Sequence, residues 1–396
     1  MPANAIISWG CLCLLFVGGV WIQSIRILAF AGCLAILMAV PFVVSRFPPY
    51  SFPWIIPAFA LLTGGLSVPI IGDQAAVFLA MPALGLAASF LVLSGTGLGA
   101  DRPFTAGLIV TLTATAATMW ATAEWAIDRL VGSSLIESND HVMLLLVLSA
   151  ASGVIVAVLA AWVLTEVASD RPSHPDPPAS KEIPESRAVL ADRLPIDESS
   201  QRWLIWTMLG GLVVMFALGV VLREFGTVSN ALIGIGIPVI VWYVRQYYDL
   251  PVDTGIFLWI VLAVFLHAIG SFRLYDHTFW WHNVTHTVTA TLVGAIGFLT
   301  IRIWEHRSAS VTVPSSLMPF LVVVFVVTVG VAWEIGEFAY DTALEIIGFE
   351  ALAVAQHSLA DTITDLVFNA LGAIVVAVWG LKYLVTITEA AIERSR

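Results

Sequence analysis

Three pairs of ionisable side chains in the second half of the sequence have the types and the spacing that metal or proton chemistry requires. In each pair the residues lie three or four positions apart, so both side chains project from the same face of a helix. The pairs are His282 and His286, Glu334 and Glu337, and Asp361 and Asp365. Imidazole nitrogens together with carboxylate oxygens suit Zn²⁺, Mn²⁺ or Fe²⁺, and the same groups serve as general acids and bases. His267 and Asp276, which precede the first pair, are further candidates.

The segments that carry these pairs are apolar enough to lie in a membrane. Of the 396 residues, 59% are hydrophobic and only 11% are charged, whereas about 25% of the residues of a soluble domain are charged. Apolar runs recur along the whole chain, as they do in membrane proteins with many spans. We therefore predict an all-α, polytopic integral membrane protein with about 10–12 transmembrane helices. The candidate spans are roughly 4–22, 25–45, 53–71, 74–95, 104–131, 141–167, 203–223, 228–246, 254–272, 284–303, 317–340 and 361–386.

A stretch rich in proline and charge divides the chain into two halves. Residues 168–202 are poor in apolar side chains, which predicts a disordered cytoplasmic linker. We expect residues 1–167 to form a scaffold-like membrane half of six helices, and residues 203–396 to form a second six-helix half that carries the paired residues. The motifs AEWAIDRL and GEFAYDTA, which align Glu124 with Glu337, indicate two parallel copies. The similar composition of apolar segments would explain this likeness equally well.

The positions of the basic residues predict how the chain lies in the cell membrane. Lys and Arg accumulate on the cytoplasmic side of membrane proteins. With the linker inside, all but four of the 17 basic residues fall on the cytoplasmic side, and those four are Arg26, Arg129, Arg223 and Arg273. Both termini and the linker are therefore predicted to be cytoplasmic.

In this topology, four separate segments bring their polar residues to one layer at the extracytoplasmic boundary. The spans near 254–272 and 317–340 end there, and the spans near 284–303 and 361–386 begin there. Ionisable residues in membrane spans are costly and usually functional, so their convergence predicts a site. The alternative is that these groups face water near the headgroups or hold neighbouring helices together.

Four sequence blocks around these residues resemble the YjdF-like family of bacterial and archaeal inner-membrane proteins and, more distantly, the VanZ-like membrane proteins. The blocks are LHAIGSFRLYD, HNVTHTVTATLVGAIG, WEIGEFAYD and ADTITDLVFNALGA, which span about 120 residues of the C-terminal half. The resemblance implies a site rather than a particular reaction. The positions that it matches are His267, His286, Glu334, Glu337, Asp361, Asp365, and Asn369 with Gly372. The family pattern has an aspartate where this chain has His282, which leaves the role of that position open.

The first functional hypothesis is a metal-dependent membrane enzyme that acts on a lipid or a lipid-linked phosphate. A divalent metal (Zn²⁺, Mn²⁺ or Fe²⁺) at the outer boundary would activate water or hold a phosphate group. The candidate metal ligands are His282, His286, Glu337 and Asp365. Glu334 and Asp361 are the candidate catalytic groups, as a general base or as further ligands.

Two other classes of function remain open. In a proton- or cation-coupled transporter or channel, the same side chains would relay ions, although transporters usually bind their substrates near the midplane of the membrane. In a non-catalytic membrane protein, the pairs would hold helices together. The net charge of −11 without a basic patch argues against nucleic acid as a partner. The partners that we expect are membrane lipid and a lipid or ion substrate, and the sequence does not identify a protein partner. An acidic chain with two lysines is typical of a high-salt cytoplasm.

Overall fold

The computed structural model is built from helices. It describes residues 3–44, 52–169, 194–248, 252–275, 278, 280–349, 358–380 and 384. Within these ranges no β-strand is present, and the backbone bridge between Gly99 and Thr312 is isolated. The predicted all-α class is confirmed.

The described residues form thirteen α-helices. They are α1 (Ala3–Trp21), α2 (Ile25–Val43), α3 (Ile55–Ala60), α4 (Val68–Ile71), α5 (Asp73–Gly95), α6 (Arg102–Val131), α7 (Asn139–Ser169), α8 (Glu198–Leu222), α9 (Phe225–Tyr248), α10 (Thr254–Ile269), α11 (Trp281–Arg307), α12 (Met318–Ile346) and α13 (Leu359–Val375). Three π-helical turns extend helices, and they are Leu61–Gly65 after α3, Gly270–Leu274 after α10 and Val376–Gly380 after α13. Helices suit a membrane because every interior backbone group finds its partner within the same segment.

Short polar side chains mark where several helices begin. Each accepts a hydrogen bond from a backbone N–H three residues further on, which satisfies a donor that the first turn leaves unpaired. These N-cap residues are Ser24 of α2, Asp101 of α6, Asp197 of α8, Asp253 of α10 and Ser358 of α13.

Eleven helices of the described residues are long and apolar enough to cross a membrane. This number lies within the predicted range, but the predicted span 53–71 is not among the eleven. It is broken into α3, a π-helical turn and α4, and the whole of Ile55–Ile71 is shorter than the other spans. Gly64 and Gly65 lie in the π-helical turn, and glycine weakens a helix because it gains the most freedom on unfolding.

The described parts of the chain form two compact units. Unit 1 contains α1 to α7 together with the segments Ser308–Leu317 and Val331–Ile335. Unit 2 contains α8 to α11, α13 and the remaining parts of α12. In unit 1, α5, α6 and α7 pack against one another, and in unit 2 α11 packs against α13.

Small residues allow α11 and α13 to approach closely. A Cβ atom at Gly372 would lie 2.5 Å from the carbonyl oxygen of Thr287 and 2.6 Å from the Cβ atom of Ala290. Only glycine fits at such a distance. Ala290, Ala373 and Val326 of α12 form a buried apolar cluster beside this contact. The close packing holds the first turns of α11 and α13 side by side, so that side chains from both helices meet.

Candidate metal centre

The first turns of α11 and α13 are joined by a histidine–carboxylate contact. Ser358 caps α13 by accepting a hydrogen bond from the backbone N–H of Asp361, which fixes Asp361 in the first turn. The Nδ1 atom of His282 lies 2.9 Å from Oδ1 of Asp361 and 3.3 Å from Oδ1 of Asp365. An ionised carboxylate has no proton to donate, so Nδ1 of His282 donates. The lone pair of Nε2 on the same ring is then left for another partner.

One helical turn further into α11, His286 completes a compact group. Its Nε2 atom lies 3.2 Å from Nε2 of His282 and 3.6 Å from Oδ2 of Asp365. A hydrogen bond with the Asn369 side chain orients the His286 ring. One nitrogen or oxygen atom from each of His282, His286 and Asp365 lies within 4.8 Å of the others, a geometry that could hold a metal ion.

The side chains of the group differ in their exposure to solvent. The side chains of His282 and Asp361 are 20% and 25% exposed, whereas those of His286 and Asp365 are 6% and 3% exposed. A charge buried to that degree is stable only when a partner compensates it. Asp365 therefore faces the two imidazoles, and His282 and Asp361 are the more exposed members of the group.

A second layer of side chains lies behind the two histidines, and it consists of His267 of α10, Tyr275 after the π-helical turn and Thr289 of α11. The Tyr275 hydroxyl lies 3.0 Å from Nδ1 of His267, and Nε2 of His267 lies 3.1 Å from the Thr289 hydroxyl. The Tyr275 ring packs edge-on against His282 at 4.6 Å between centroids, and the His267 ring packs against His286 at 5.4 Å. Each candidate ligand ring is thus held by a ring of the second layer.

The π-helical turn at the end of α10 brings Tyr275 into this layer. Gly270 begins the turn, and a Cβ atom at this position would lie 2.3 Å from the Tyr275 ring. Glycine is therefore required for the ring to lie over the backbone here. π-Helical turns inside α-helices are frequent at functional sites.

The pKa of the Tyr275 phenol depends on the negative charges of nearby carboxylates. Burial raises the pKa of the Tyr275 phenol above its ordinary value, and the negative charges of Asp365, Glu337 and Asp361 raise it further. Tyr275 therefore stays protonated at neutral pH. The same effect indicates that Glu337 of α12 contributes its charge to this region of unit 2.

The structure brings together most, but not all, of the residues that the sequence singled out. His282, His286, Asp361 and Asp365 meet, and His267 lies in the second layer behind them. Glu334 is fully buried on α12, in the segment that belongs to unit 1. Asp276 lies outside the described residues.

Sequence reasoning missed Tyr275. This tyrosine stands inside the block LHAIGSFRLYD, eight residues after His267. Regular helical geometry would not place residues eight apart in hydrogen-bond contact, and the π-helical turn between them is what changes the spacing. Gly270, which lies between His267 and Tyr275, was the feature of the sequence that could have indicated this irregular turn.

Comparison with known proteins shows that the same region is similar to a family of membrane proteins. The family model described as "Predicted membrane protein (DUF2238)" matches residues 203–386. The C-terminal half of the chain is therefore similar to this family, and the match is consistent with the YjdF-like resemblance, whereas the VanZ-like resemblance is not supported. No curated protein and no solved structure matches the chain. The matched range contains each residue of the candidate metal centre.

Proposed function

We propose that the protein binds one divalent metal ion, Zn²⁺, Mn²⁺ or Fe²⁺, at the His282, His286 and Asp365 group, and that it is a membrane enzyme acting on a lipid or lipid-linked phosphate. One observation carries the proposal: three donor atoms from two helices lie within 4.8 Å of one another. Metal–ligand bonds of about 2.0–2.2 Å put the ligands of one ion roughly 3–4 Å apart. The distances of 3.2 Å and 3.6 Å between these donors fit that range.

The second contact of each ligand ring supports metal binding. Histidines that bind metals usually donate their other N–H to a carboxylate or another acceptor, which fixes the orientation of the ring. Asp361 has this position relative to Nδ1 of His282, and Asn369 hydrogen-bonds the His286 ring. In this arrangement Asp361 orients a ligand, and Glu337 is a further ligand or a nearby base.

Three protein ligands leave a tetrahedral ion with an open position, which is typical of catalytic rather than structural sites. A metal with an open position supplies a Lewis acid for a phosphate oxygen or activates a water molecule. The more exposed Asp361 lies on the side from which a headgroup would approach. If the predicted topology holds, that side is extracytoplasmic, and both termini and the linker are cytoplasmic.

Elemental analysis of detergent-purified protein tests metal binding. After incubation with Zn²⁺, Mn²⁺ or Fe²⁺ and removal of free metal, we expect about one ion per chain. His286→Ala and Asp365→Asn should lose most of the metal, and His306→Ala, at the other end of α11, is the matched control. Glu337→Ala should lose metal if Glu337 is a ligand and should keep its metal if Glu337 is only a nearby base. Full metal occupancy in His286→Ala, or no retained metal in the wild-type protein, would refute the proposal.

Phosphate release from a lipid phosphate in vesicles tests the enzymatic part. The metal-loaded protein should release inorganic phosphate, a chelator should abolish the release, and added metal should restore it. Asp365→Asn should be inactive, and His306→Ala should be as active as the wild type. A metal-loaded protein without such activity would leave a metal-binding membrane protein of another class.

A proton- or cation-coupled transporter is the second candidate, and a row of hydrogen-bonding groups favours it. Thr289, His267 and Tyr275 are joined by distances of 3.1 Å and 3.0 Å, and Tyr275 reaches Thr285 at 3.5 Å. Rows of protonatable groups inside membranes serve as proton relays. Cation flux into proteoliposomes that disappears in Asp365→Asn, in protein that holds no metal, would favour this function.

A further inference from the structure

Unit 1 contains an arginine whose three guanidinium nitrogens each donate a hydrogen bond. Arg26 lies in the first turn of α2. Its Nε atom donates to Oε1 of Glu124 at 2.9 Å, Nη1 donates to Oδ1 of Asp73 at 3.2 Å, and Nη2 donates to the carbonyl oxygen of Leu135 at 2.7 Å. The Arg26 and Glu124 side chains are only 18% and 6% exposed. The guanidinium therefore lies between the buried carboxylate of Glu124 and the carboxylate of Asp73, whose side chain is 32% exposed.

Neighbouring side chains hold the Glu124 carboxylate in place. Gln74 donates from Nε2 to Oε2 of Glu124 at 3.0 Å, and the Trp120 indole donates to Oε1 at 3.0 Å. The amide oxygen of Gln74 in turn lies 2.9 Å from Nε2 of His141. An amide oxygen can only accept, so the histidine donates. The result is a network that connects the first turns of α5 and α7 with the last turns of α6.

This network has the same framework as the candidate metal centre of unit 2. Gln74 is the second residue of α5 and His141 is the third residue of α7. His282 is the second residue of α11 and Asp361 is the third residue of α13. The two helices pack against each other in each case, and each pair of side chains meets at 2.9 Å. The alignment of Glu124 with Glu337 in the sequence follows the same correspondence.

The two frameworks differ at the positions that would bind a metal. Four residues after Gln74, where α11 has His286, α5 has Phe78. Four residues after His141, where α13 has Asp365, α7 has Leu145. Phe78 and Leu145 are both buried apolar residues and offer no ligand atom. Among the described residues, these two positions of unit 1 thus offer no metal donor, and a cationic side chain lies between Glu124 and Asp73 instead.

We propose that the N-terminal half contains a second version of the candidate site, a cation site that the chain fills permanently with the guanidinium of Arg26. A guanidinium keeps its charge at all accessible pH values and matches the fork of a carboxylate. Its removal leaves the buried Glu124 carboxylate without a cation beside it, which is strongly destabilising for a buried charge. The proposal does not depend on whether unit 2 binds a metal.

Chemical rescue of Arg26→Ala in the full-length protein tests the proposal. We expect the apparent melting temperature in detergent to fall by about 10 °C. Methylguanidinium at millimolar concentration should restore at least half of this loss, and tetramethylammonium at the same ionic strength should restore none. Arg129→Ala is the matched control, because Arg129 is an exposed arginine of α6 whose guanidinium lies 5.2 Å from the Trp125 ring. It should melt close to the wild type and show no rescue.

The double variant Arg26→Ala/Glu124→Gln keeps the test decisive if Arg26→Ala yields no folded protein. Without the Glu124 charge this variant should fold and should gain nothing from methylguanidinium. The proposal is overturned if Arg26→Ala is as stable as Arg129→Ala, if methylguanidinium fails to stabilise it, or if methylguanidinium stabilises the double variant equally. A double variant that fails to fold also overturns it.

Discussion

The Nε2 atoms of His282 and His286 lie 3.2 Å apart, while Nδ1 of His282 is engaged by Asp361. This relationship bears on which side chains would be metal ligands and which would orient a ligand, a distinction that the sequence could not make. A ring that donates through Nδ1 to a carboxylate presents the lone pair of Nε2, and the two Nε2 atoms then face the same point beside Asp365. If a metal binds as proposed, Asp361 would therefore orient the ligand His282 rather than act as a general base.

The first prediction concerns Asp361→Ala. If Asp361 orients His282, its loss should weaken metal affinity by about 10–100-fold without changing the number of ions bound at saturation. Competition with a chelator of known affinity measures the change. Asp140→Ala, an exposed carboxylate in the first turn of α7, serves as the control. Complete loss of binding would instead identify Asp361 as a direct ligand, and unchanged affinity would remove it from the site.

The second prediction concerns the close contact of α11 and α13. Gly372→Ala introduces a methyl group where the Thr287 carbonyl oxygen lies at 2.5 Å. Overpacking of this kind costs typically about 1–3 kcal/mol, although alanine is otherwise the better helix former. We expect a lower free energy of unfolding by chemical denaturation in mixed micelles, together with weaker metal binding. Gly336→Ala on α12, where a Cβ atom meets nothing within 4 Å, should be neutral or stabilising.

The third prediction concerns the second layer. Tyr275→Phe removes the hydroxyl that contacts Nδ1 of the half-buried His267. A buried group that loses its partner costs about 1–3 kcal/mol, so the free energy of unfolding should fall by that amount while the metal content stays the same. Tyr340→Phe is the control, because Tyr340 is exposed. Loss of metal in Tyr275→Phe would show that the second layer acts on the ligands directly.

The fourth prediction concerns orientation in the membrane. In a variant with Cys11, Cys13 and Cys33 replaced by alanine, Ser180→Cys in the linker should react with an impermeant thiol reagent only after cells are opened. Ser134→Cys in the connection between α6 and α7 should react in intact cells. This pattern follows from the excess of arginine and lysine on the linker side. The reverse pattern would place the candidate site on the cytoplasmic side.

The membrane class and most spans could be predicted because apolar composition and helix length act locally. The span 53–71 was an exception, since hydropathy does not register the glycine pair in the π-helical turn that breaks it. The pairing of His282 with His286 was also predictable, because four residues make one turn of a helix. Their meeting with Asp365 depended on the packing of α11 against α13, for which Gly372 was the only local sign.

The contacts of Arg26 could not be predicted by counting basic residues on each side of the membrane. In the sequence it was one of four basic residues assigned to the outside, and Glu124 was a weak match to Glu337. Their ion pair joins residues 98 positions apart, and no periodicity within a helix predicts such a contact. The sequence analysis used Arg26 only as a positive charge, whereas in the structure its guanidinium contacts Glu124, Asp73 and the Leu135 carbonyl oxygen.

Arg26 is covalently part of the chain, whereas a bound metal ion can dissociate, and this difference affects how each half responds to the concentration of free metal. A bound metal ion leaves when its free concentration falls, because occupancy follows the dissociation constant. A side chain has no such free concentration, since its effective local concentration is set by the fold and does not change with medium or chelator. If unit 2 binds a metal as proposed, dialysis against a chelator should therefore loosen α11 and α13 and leave α2, α5 and α6 unaffected, so that only one half of the protein would respond to the supply of metal.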